Sequence, residues 1–196
     1  MGKFRRVFGI VLILIGVGII ANVIYKKIVT SNKQNELIEA FESQIADSKN
    51  EEISEPVSLE VINGYTTIAI MEIPSIKLKQ PVVDGITEDV IKYFLGRFPN
   101  SAMPGEVGNF AVAGHRVSDF TDAFINLYKV KVGDKVIVTT KDGVYTYEVD
   151  SSFIVDPDHV EVLDESDYEK ITLITCTIGS KRRVIVTGKL IERENL

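Results

Sequence analysis

The chain has 196 residues, of which 45% are hydrophobic, and a net charge of −6, which suits one globular domain with additional segments. The acidic balance argues against nucleic acid as a partner. His115 and His159 are the only histidines, so a metal site built on three histidines is excluded. The sequence also contains neither a CxxC pair nor a GxGxxG motif.

The first predicted element is a helix that spans a membrane. Val7–Ile24 contains 18 residues and no charge. As an α-helix this stretch rises about 27 Å, close to the roughly 30 Å of a hydrocarbon core. Tyr25 follows it, in a position typical of the membrane interface. A cleaved signal peptide is the alternative, but its apolar region is only about 7–15 residues long, so we favour an uncleaved anchor.

Residues 1–27 are therefore predicted to form a short tip and a single-pass anchor that contacts the lipid bilayer through residues 7–24. Three basic residues and the terminal amine precede the apolar stretch, and two lysines follow it. The small excess of positive charge before it favours a cytoplasmic N-terminus, with the rest of the chain outside the membrane.

Residues 28–62 are predicted to form a juxtamembrane helix and a flexible spacer. Four apolar residues recur at helical spacing among acidic ones: Leu37, Ile38, Phe41 and Ile45. This pattern predicts a short amphipathic helix. Ser48–Ser58 is polar and acidic and contains Pro56, which predicts a spacer that holds the following domain away from the membrane.

Residues 63–196 show a sequence pattern typical of short strands separated by turns. The predicted strands are Tyr65–Ile73, Lys77–Val83, Asn109–Ala113, Lys135–Thr140, Val144–Val149, Ser151–Val155, Thr172–Cys176 and Arg183–Leu190. Asp142-Gly143 between two of them is a strong hairpin signal. Asp89–Phe94 and Ser118–Leu127 are predicted short helices, and Glu161–Glu169 an acidic loop. This pattern predicts an all-β barrel or sandwich with small helices.

Three chemically useful residues stand at the ends of predicted strands. Cys176, the single cysteine, ends one strand, His115 follows another, and Arg183 opens the last. Each has an ordinary explanation alone: a buried small thiol, a surface histidine and a solvated strand end. Together they offer a nucleophile, a proton donor and a donor to an oxyanion. Because neighbouring strand residues face opposite sides, only one of Arg182 and Arg183 can share a face with Cys176.

The three local motifs together resemble the sortase family of cysteine transpeptidases. They are Ala-Gly-His at 113–115, TLITC at 172–176, and an arginine opening RVIVTG at 183–188. TLITC matches the family's TLxTC pattern at every fixed position. The resemblance covers about Gly64–Leu190. It implies a closed β-barrel of about eight strands, displayed outside the membrane of a Gram-positive cell.

The resemblance also implies roles for individual residues. Cys176 would attack the carbonyl that precedes Gly in an LPxTG-like sorting signal, and His115 would protonate the leaving amine. Arg183, which directly precedes an apolar run, would steady the substrate and the oxyanion. Ala113 and Thr175 would contact the bound peptide. An amine from a peptidoglycan precursor, or a pilin lysine, would then resolve the acyl-enzyme.

The short segment between cysteine and arginine most resembles class D of the family, with classes A and E as alternatives. Some class A members bind calcium through carboxylates near the histidine strand and before the cysteine strand. Carboxylates occur in both regions here, as at Glu106 and Asp164, but nothing in their spacing brings them together. We therefore expect no metal ion and no cofactor.

Two other functions fit parts of the pattern. A cysteine protease that releases surface proteins would use the same thiol with water as the acceptor. The order of His115 before Cys176 excludes a papain-type layout, and the caspase signature is absent from the sequence. A barrel that binds wall peptides without catalysis would not depend on Cys176 at all.

Overall fold

The computed structural model describes residues 2–48, 61–62 and 64–196, in which a long helix precedes a β-barrel. The helices are α1 (Gly2–Ser48) and α2 (Glu88–Tyr93). The strands are β1 (Val61–Ile62), β2 (Tyr65–Ile73), β3 (Leu78–Asp84), β4 (Leu95–Arg97), β5 (Gly108–Ala113), β6 (Lys135–Thr139), β7 (Gly143–Val155), β8 (Glu169–Cys176) and β9 (Arg183–Asn195). Short 3₁₀ turns occur at Pro74–Ile76, Leu127–Lys129 and Val160–Leu163.

Strands β2 to β9 close into a barrel. They pair in the order β2-β3-β4-β5-β8-β9-β7-β6, and β6 returns to pair with β2. The two-residue strand β1 pairs with β2 outside this circuit. Pairing is antiparallel except between β3 and β4 and between β5 and β8. The predicted closed barrel of about eight strands is confirmed.

A packed layer supports the three strands that end near Cys176. Val112, Leu173 and Val186 lie side by side in register on β5, β8 and β9. None of them is more than 1% exposed. Burying an aliphatic side chain of this size contributes about 1.5–3 kcal/mol. The ends of these strands near Cys176 are therefore continuous with a fully buried layer of the core.

The predicted hairpin forms between β6 and β7. The Thr140 hydroxyl oxygen accepts hydrogen bonds from the backbone N–H groups of Asp142 and Gly143, which closes the turn. Strand β7 then continues through a register shift between Val149 and Ser151, so the two predicted strands on either side of Asp150 form one. It ends at Val155, directly beside the start of β9.

The predicted helix at Ser118–Leu127 is wrong. This segment consists of turns, and only Leu127–Lys129 is a 3₁₀ turn. The Ser118 hydroxyl accepts from the backbone N–H of Phe120 and of Thr121, and the N–H of Ser118 donates to the carbonyl of Thr121. A serine that bonds to nearby backbone groups in this way competes with helix formation.

Helix α1 is continuous over 47 residues, where two separate helices were expected. Its most apolar 18-residue window has a mean hydropathy of 2.8 and is not buried against the rest of the protein. By length and composition it suffices to cross a membrane. Apart from Ser48, the predicted spacer lies outside the described residues.

The second half of α1 packs on the barrel. Leu37 is 1% exposed and contacts Val83 of β3 and Phe94 after α2. Glu42 accepts a hydrogen bond from Lys79 at 2.9 Å, and this bond raises the pKa of the lysine. Contacts with the barrel begin at Lys26, directly after the apolar stretch. The described residues therefore place the barrel beside the end of that stretch.

Candidate active site

Three neighbouring strands bring the predicted residues to one end of the barrel. Cys176 is the last residue of β8 and lies opposite Arg183, the first residue of β9. Ala113, the last residue of β5, lies beside Ile174 of β8. His115 is two residues beyond Ala113 and Cys176 is two residues beyond Ile174, so His115 and Cys176 leave the sheet side by side.

Both side chains line one groove. His115 and Cys176 border a cavity of about 210 Å³, and Cys176 is a half-buried free thiol. A second hollow of about 420 Å³ adjoins the first and shares Arg116, Thr177 and Ile178 with it. The two hollows lie side by side next to His115 and Cys176, an arrangement with room for an extended peptide.

The backbone before the histidine is bonded to the cysteine strand. The N–H of Gly114 donates to the carbonyl of Ile174 at 3.1 Å, and the Thr175 hydroxyl donates to the carbonyl of Gly114 at 2.8 Å. A side chain on Gly114 would lie 2.5 Å from Leu95 and 2.8 Å from the Phe124 ring, so only glycine fits there.

Burial of Thr175 corrects one sequence-based expectation. The residue is 2% exposed, so its side chain does not contact a peptide in the groove. Strand alternation is the reason, since Cys176 faces the groove and its neighbour must face inward. Thr175 instead joins β8 to the residue before His115. Ala113 is half-buried, and its contact with substrate stays a prediction.

The two arginines occupy different surroundings. Arg183 Nη1 donates to the carbonyls of Ser180 and Arg182 at 3.2 and 3.3 Å, so its guanidinium lies along the turn that follows Cys176. Arg182 is exposed and lines the adjoining hollow with Tyr128. Cross-strand partners on one face have Cβ atoms about 4.5–5.5 Å apart, which favours Arg183 as the neighbour of Cys176.

The turn at residues 177–182 was not part of the sequence prediction. The N–H of Thr177 donates to the carbonyl of Arg182 at 2.9 Å, and the Thr177 hydroxyl accepts from the N–H of Arg182 at 3.1 Å. Gly179 and Ser180 have positive φ angles of 76° and 57°. The Gly-Ser pair between two strands is the sequence signal that could have predicted this turn.

Comparison with known proteins identifies the family. Residues 71–191, more than half of the chain, match the family model described as the Sortase domain. The chain belongs to the sortase family. Sortase A of Bacillus anthracis is 29% identical over 204 residues, which cover 95% of this sortase and 96% of the relative.

Two solved sortase structures are similar in fold. A Clostridium perfringens Sortase D5 transpeptidase has a TM-score of 0.66 and 33% identity, covering 86% of this chain and 99% of that one. Sortase E1 of Streptomyces coelicolor, with a tripeptide in its active site, has a TM-score of 0.61 and 30% identity, covering 66% and 90%. Sortases are cysteine transpeptidases, so this sortase is an enzyme of that class.

The acidic residues considered for calcium do not form a ligand group. Within the described ranges 2–48, 61–62 and 64–196, no cluster of three or more His, Cys, Asp or Glu side chains is placed to hold a metal ion. Glu106 accepts from the backbone N–H of Met103 at 2.9 Å. The acidic loop is attached to β5 through Asn109, whose amide donates to the carbonyls of Val162 and Asp164 at 3.0 Å each.

Proposed function

We propose that this sortase cleaves an LPxTG-like sorting signal through an acyl-enzyme on Cys176 and transfers the acyl group to an amine of a cell-wall precursor. The observation that carries the proposal is that Cys176 lies opposite Arg183 across β8 and β9 and lines one cavity with His115. The paired hollows beside them suit an extended peptide, and the Streptomyces coelicolor relative was determined with a tripeptide in its active site.

The first half-reaction forms a thioester. The Cys176 thiolate attacks the carbonyl carbon of the threonine before glycine, and the carbonyl oxygen becomes an oxyanion. Arg183, opposite Cys176 on β9, supplies donors to this oxygen. Protonated His115 gives its proton to the glycine nitrogen as the C–N bond breaks, so the leaving group departs as a neutral amine.

The second half-reaction reverses this chemistry with a new amine. The incoming amine attacks the thioester carbon, and neutral His115 accepts the proton that the amine loses. The C–S bond breaks and Cys176 returns as the thiolate, leaving a new amide bond. Water competes as a slower acceptor, so some hydrolysis accompanies transfer.

We also propose how the enzyme is placed at the cell surface. The apolar part of α1 crosses the membrane with its N-terminus in the cytoplasm and the barrel outside, as the basic residues before the span favour. Within the family we propose a class D-like enzyme. The similarity to a Sortase D5 structure, which is covered over 99% of its length, supports this assignment.

A transfer assay tests the proposal. The full chain in detergent is incubated with an LPxTG-type peptide and an amine acceptor, beside a Cys176→Ala variant. An amide-linked product that requires Cys176 is expected. Cleavage at a rate and with products unaffected by added amine would indicate a protease. Peptide binding without turnover, unchanged in the variant, would contradict an enzymatic role for the groove.

A further inference from the structure

We infer that the part of α1 just beyond the apolar stretch positions the loop that carries His115, and that Gln34 and Lys27 are positioning residues for the proposed acid. The His115 loop is defined as residues 114–126, which connect β5 to the 3₁₀ turn at Leu127–Lys129. The inference rests on the proposed role of His115.

A buried polar contact joins the helix to this loop. Gln34 is 8% exposed and Thr121 is 4% exposed. The Gln34 amide donates to the Thr121 hydroxyl at 3.3 Å and also to the carbonyl of Tyr93, at the end of α2. The bond to Thr121 is buried and the bond to Tyr93 is partly buried, so this glutamine joins the helix, α2 and the His115 loop through one side chain.

Two lysines one residue apart bind the same loop. Lys26 lies 3.0 Å from Asp119, and Lys27 is paired with Asp122. The Lys26 amine also lies 5.1 Å from the centre of the Phe120 ring. With Thr121, four consecutive loop residues therefore contact α1. Exposed ion pairs contribute little singly, but here they flank the buried Gln34 contact.

The loop connects these contacts to His115 over a short path. The N–H of Phe124 donates to the carbonyl of His115 at 3.0 Å, so the loop is closed by its own ends. Phe124 is completely buried in the barrel core. Inside the closed segment, Ser118 binds the N–H of Thr121 at 2.9 Å. A displacement of Thr121 would therefore move the backbone that carries the imidazole.

The same contacts couple the site to the anchor. Lys26 and Lys27 follow Ile24, the last residue of the apolar stretch, by two and three residues, or about 3–4.5 Å along a helix. The His115 loop thus lies beside the end of that stretch. The helix that is proposed to cross the membrane, α1, is therefore in direct contact with the loop that carries the proposed acid.

Steady-state kinetics of the full chain in detergent test the positioning role. Gln34→Ala and Lys27→Asp are expected to lower kcat for transfer roughly five- to tenfold, with KM changed by less than about twofold. Glu42→Ala is the matched control, because it removes a contact between the same helix and Lys79 of β3 rather than one with the loop. It should leave kcat within about twofold of the unchanged chain. Equal losses in all three variants would overturn the inference.

A charge exchange provides the second kinetic arm. Lys27→Asp combined with Asp122→Lys restores the pair with its signs reversed, and kcat should recover to within about threefold of the unchanged chain. A double variant as slow as the slower single variant would contradict a direct role for this pair.

Amide hydrogen exchange separates this inference from the proposed function. In Gln34→Ala, residues 114–126 should exchange faster while β8 keeps its protection. Unchanged loop exchange would overturn the inference even if transfer is observed. Faster loop exchange in a chain that shows no transfer would refute the proposed function while supporting the contact between helix and loop.

Discussion

The two sides of Cys176 are built differently. On the His115 side, backbone bonds to β8, the buried Thr175 hydroxyl and the buried Phe124 hold the chain. On the other side, the turn at residues 177–182 is closed by bonds between its own ends, and Ile178 at its tip is 83% exposed. Buried contacts with the core therefore hold the backbone on the His115 side of the thiol. On the other side, the backbone belongs to a solvent-exposed turn that is held by hydrogen bonds between its own ends.

This difference assigns different tasks to the two sides. A proton donor must lie within hydrogen-bond reach of the group that it protonates. We therefore expect it on the His115 side, where contacts with the core hold the chain. An exposed turn on a rigid scaffold is suited to contact a substrate. We expect substitutions on the His115 side to change kcat and stability, and substitutions in the turn to change KM.

The largest effect is expected from the two residues that meet in the groove. Cys176→Ala should give no detectable product, because the thioester cannot form. His115→Ala should lower kcat about 10²–10⁴-fold, the usual contribution of a general acid. Product is measured by chromatography, and the unfolding curve of each variant serves as the control. Activity within tenfold in either variant would contradict the proposed roles.

The adjacent arginines offer the next comparison. Arg183→Ala should lower kcat at least about 10²-fold, the cost of losing a donor to an oxyanion. Arg182→Ala should retain most activity, because this side chain is exposed and lines the adjoining hollow. Kinetics of the two variants under the same conditions check the assignment, and the reverse order would transfer the role to Arg182.

The same substitution on both sides of Cys176 tests the contrast in stability. Thr175→Val leaves the carbonyl of Gly114 without its partner inside the protein and should destabilise the fold by about 1–3 kcal/mol. Thr177→Val leaves the backbone N–H of Arg182 without its hydroxyl partner, but water can reach this group. The free energy of unfolding should therefore fall by about 0.5 kcal/mol or less. Urea unfolding measures both. Similar losses of unfolding free energy in the two variants would show that the two sides of Cys176 are held equally firmly.

The smallest expected effect is at the tip of the turn. Ile178→Ser removes an apolar side chain that is 83% exposed, so the unfolding free energy should change by less than about 0.5 kcal/mol. If the turn contacts the sorting signal, KM for the peptide should rise about two- to fivefold while kcat is kept. A fall in kcat with constant KM would place the turn's role in the chemistry.

Much of the barrel could be predicted because its strands carry local signals. Tyr65–Ile73 is found with its predicted bounds, and Asp142-Gly143 does mark a hairpin. Strand β4 was missed because three residues are too few to show a period. The error at Ser118 arose because apolar spacing suggested a helix while the serine hydroxyl bonded to backbone groups that a helix needs.

The residues of the candidate site could be predicted from the sequence, but the long-range contacts that hold them in place could not. Cys176 and His115 are visible as strand-end residues, yet their meeting depends on parallel pairing between β5 and β8, about 60 residues apart in the chain. The pairing of Lys26 with Asp119 spans 93 residues, and no local pattern encodes it. Strand alternation could have placed Thr175 inward once Cys176 was assigned to the groove, but the sequence-based expectation was that this residue contacts the peptide.

Intact-mass spectrometry of the full chain with an LPxTG-type peptide tests the central claim most directly. A covalent adduct on Cys176 is expected, with a mass increase equal to the peptide up to its threonine less one water. The adduct should disappear when an amine acceptor is added, and it should be absent in Cys176→Ala. Transfer without any adduct, or an adduct that persists in Cys176→Ala, would contradict the account.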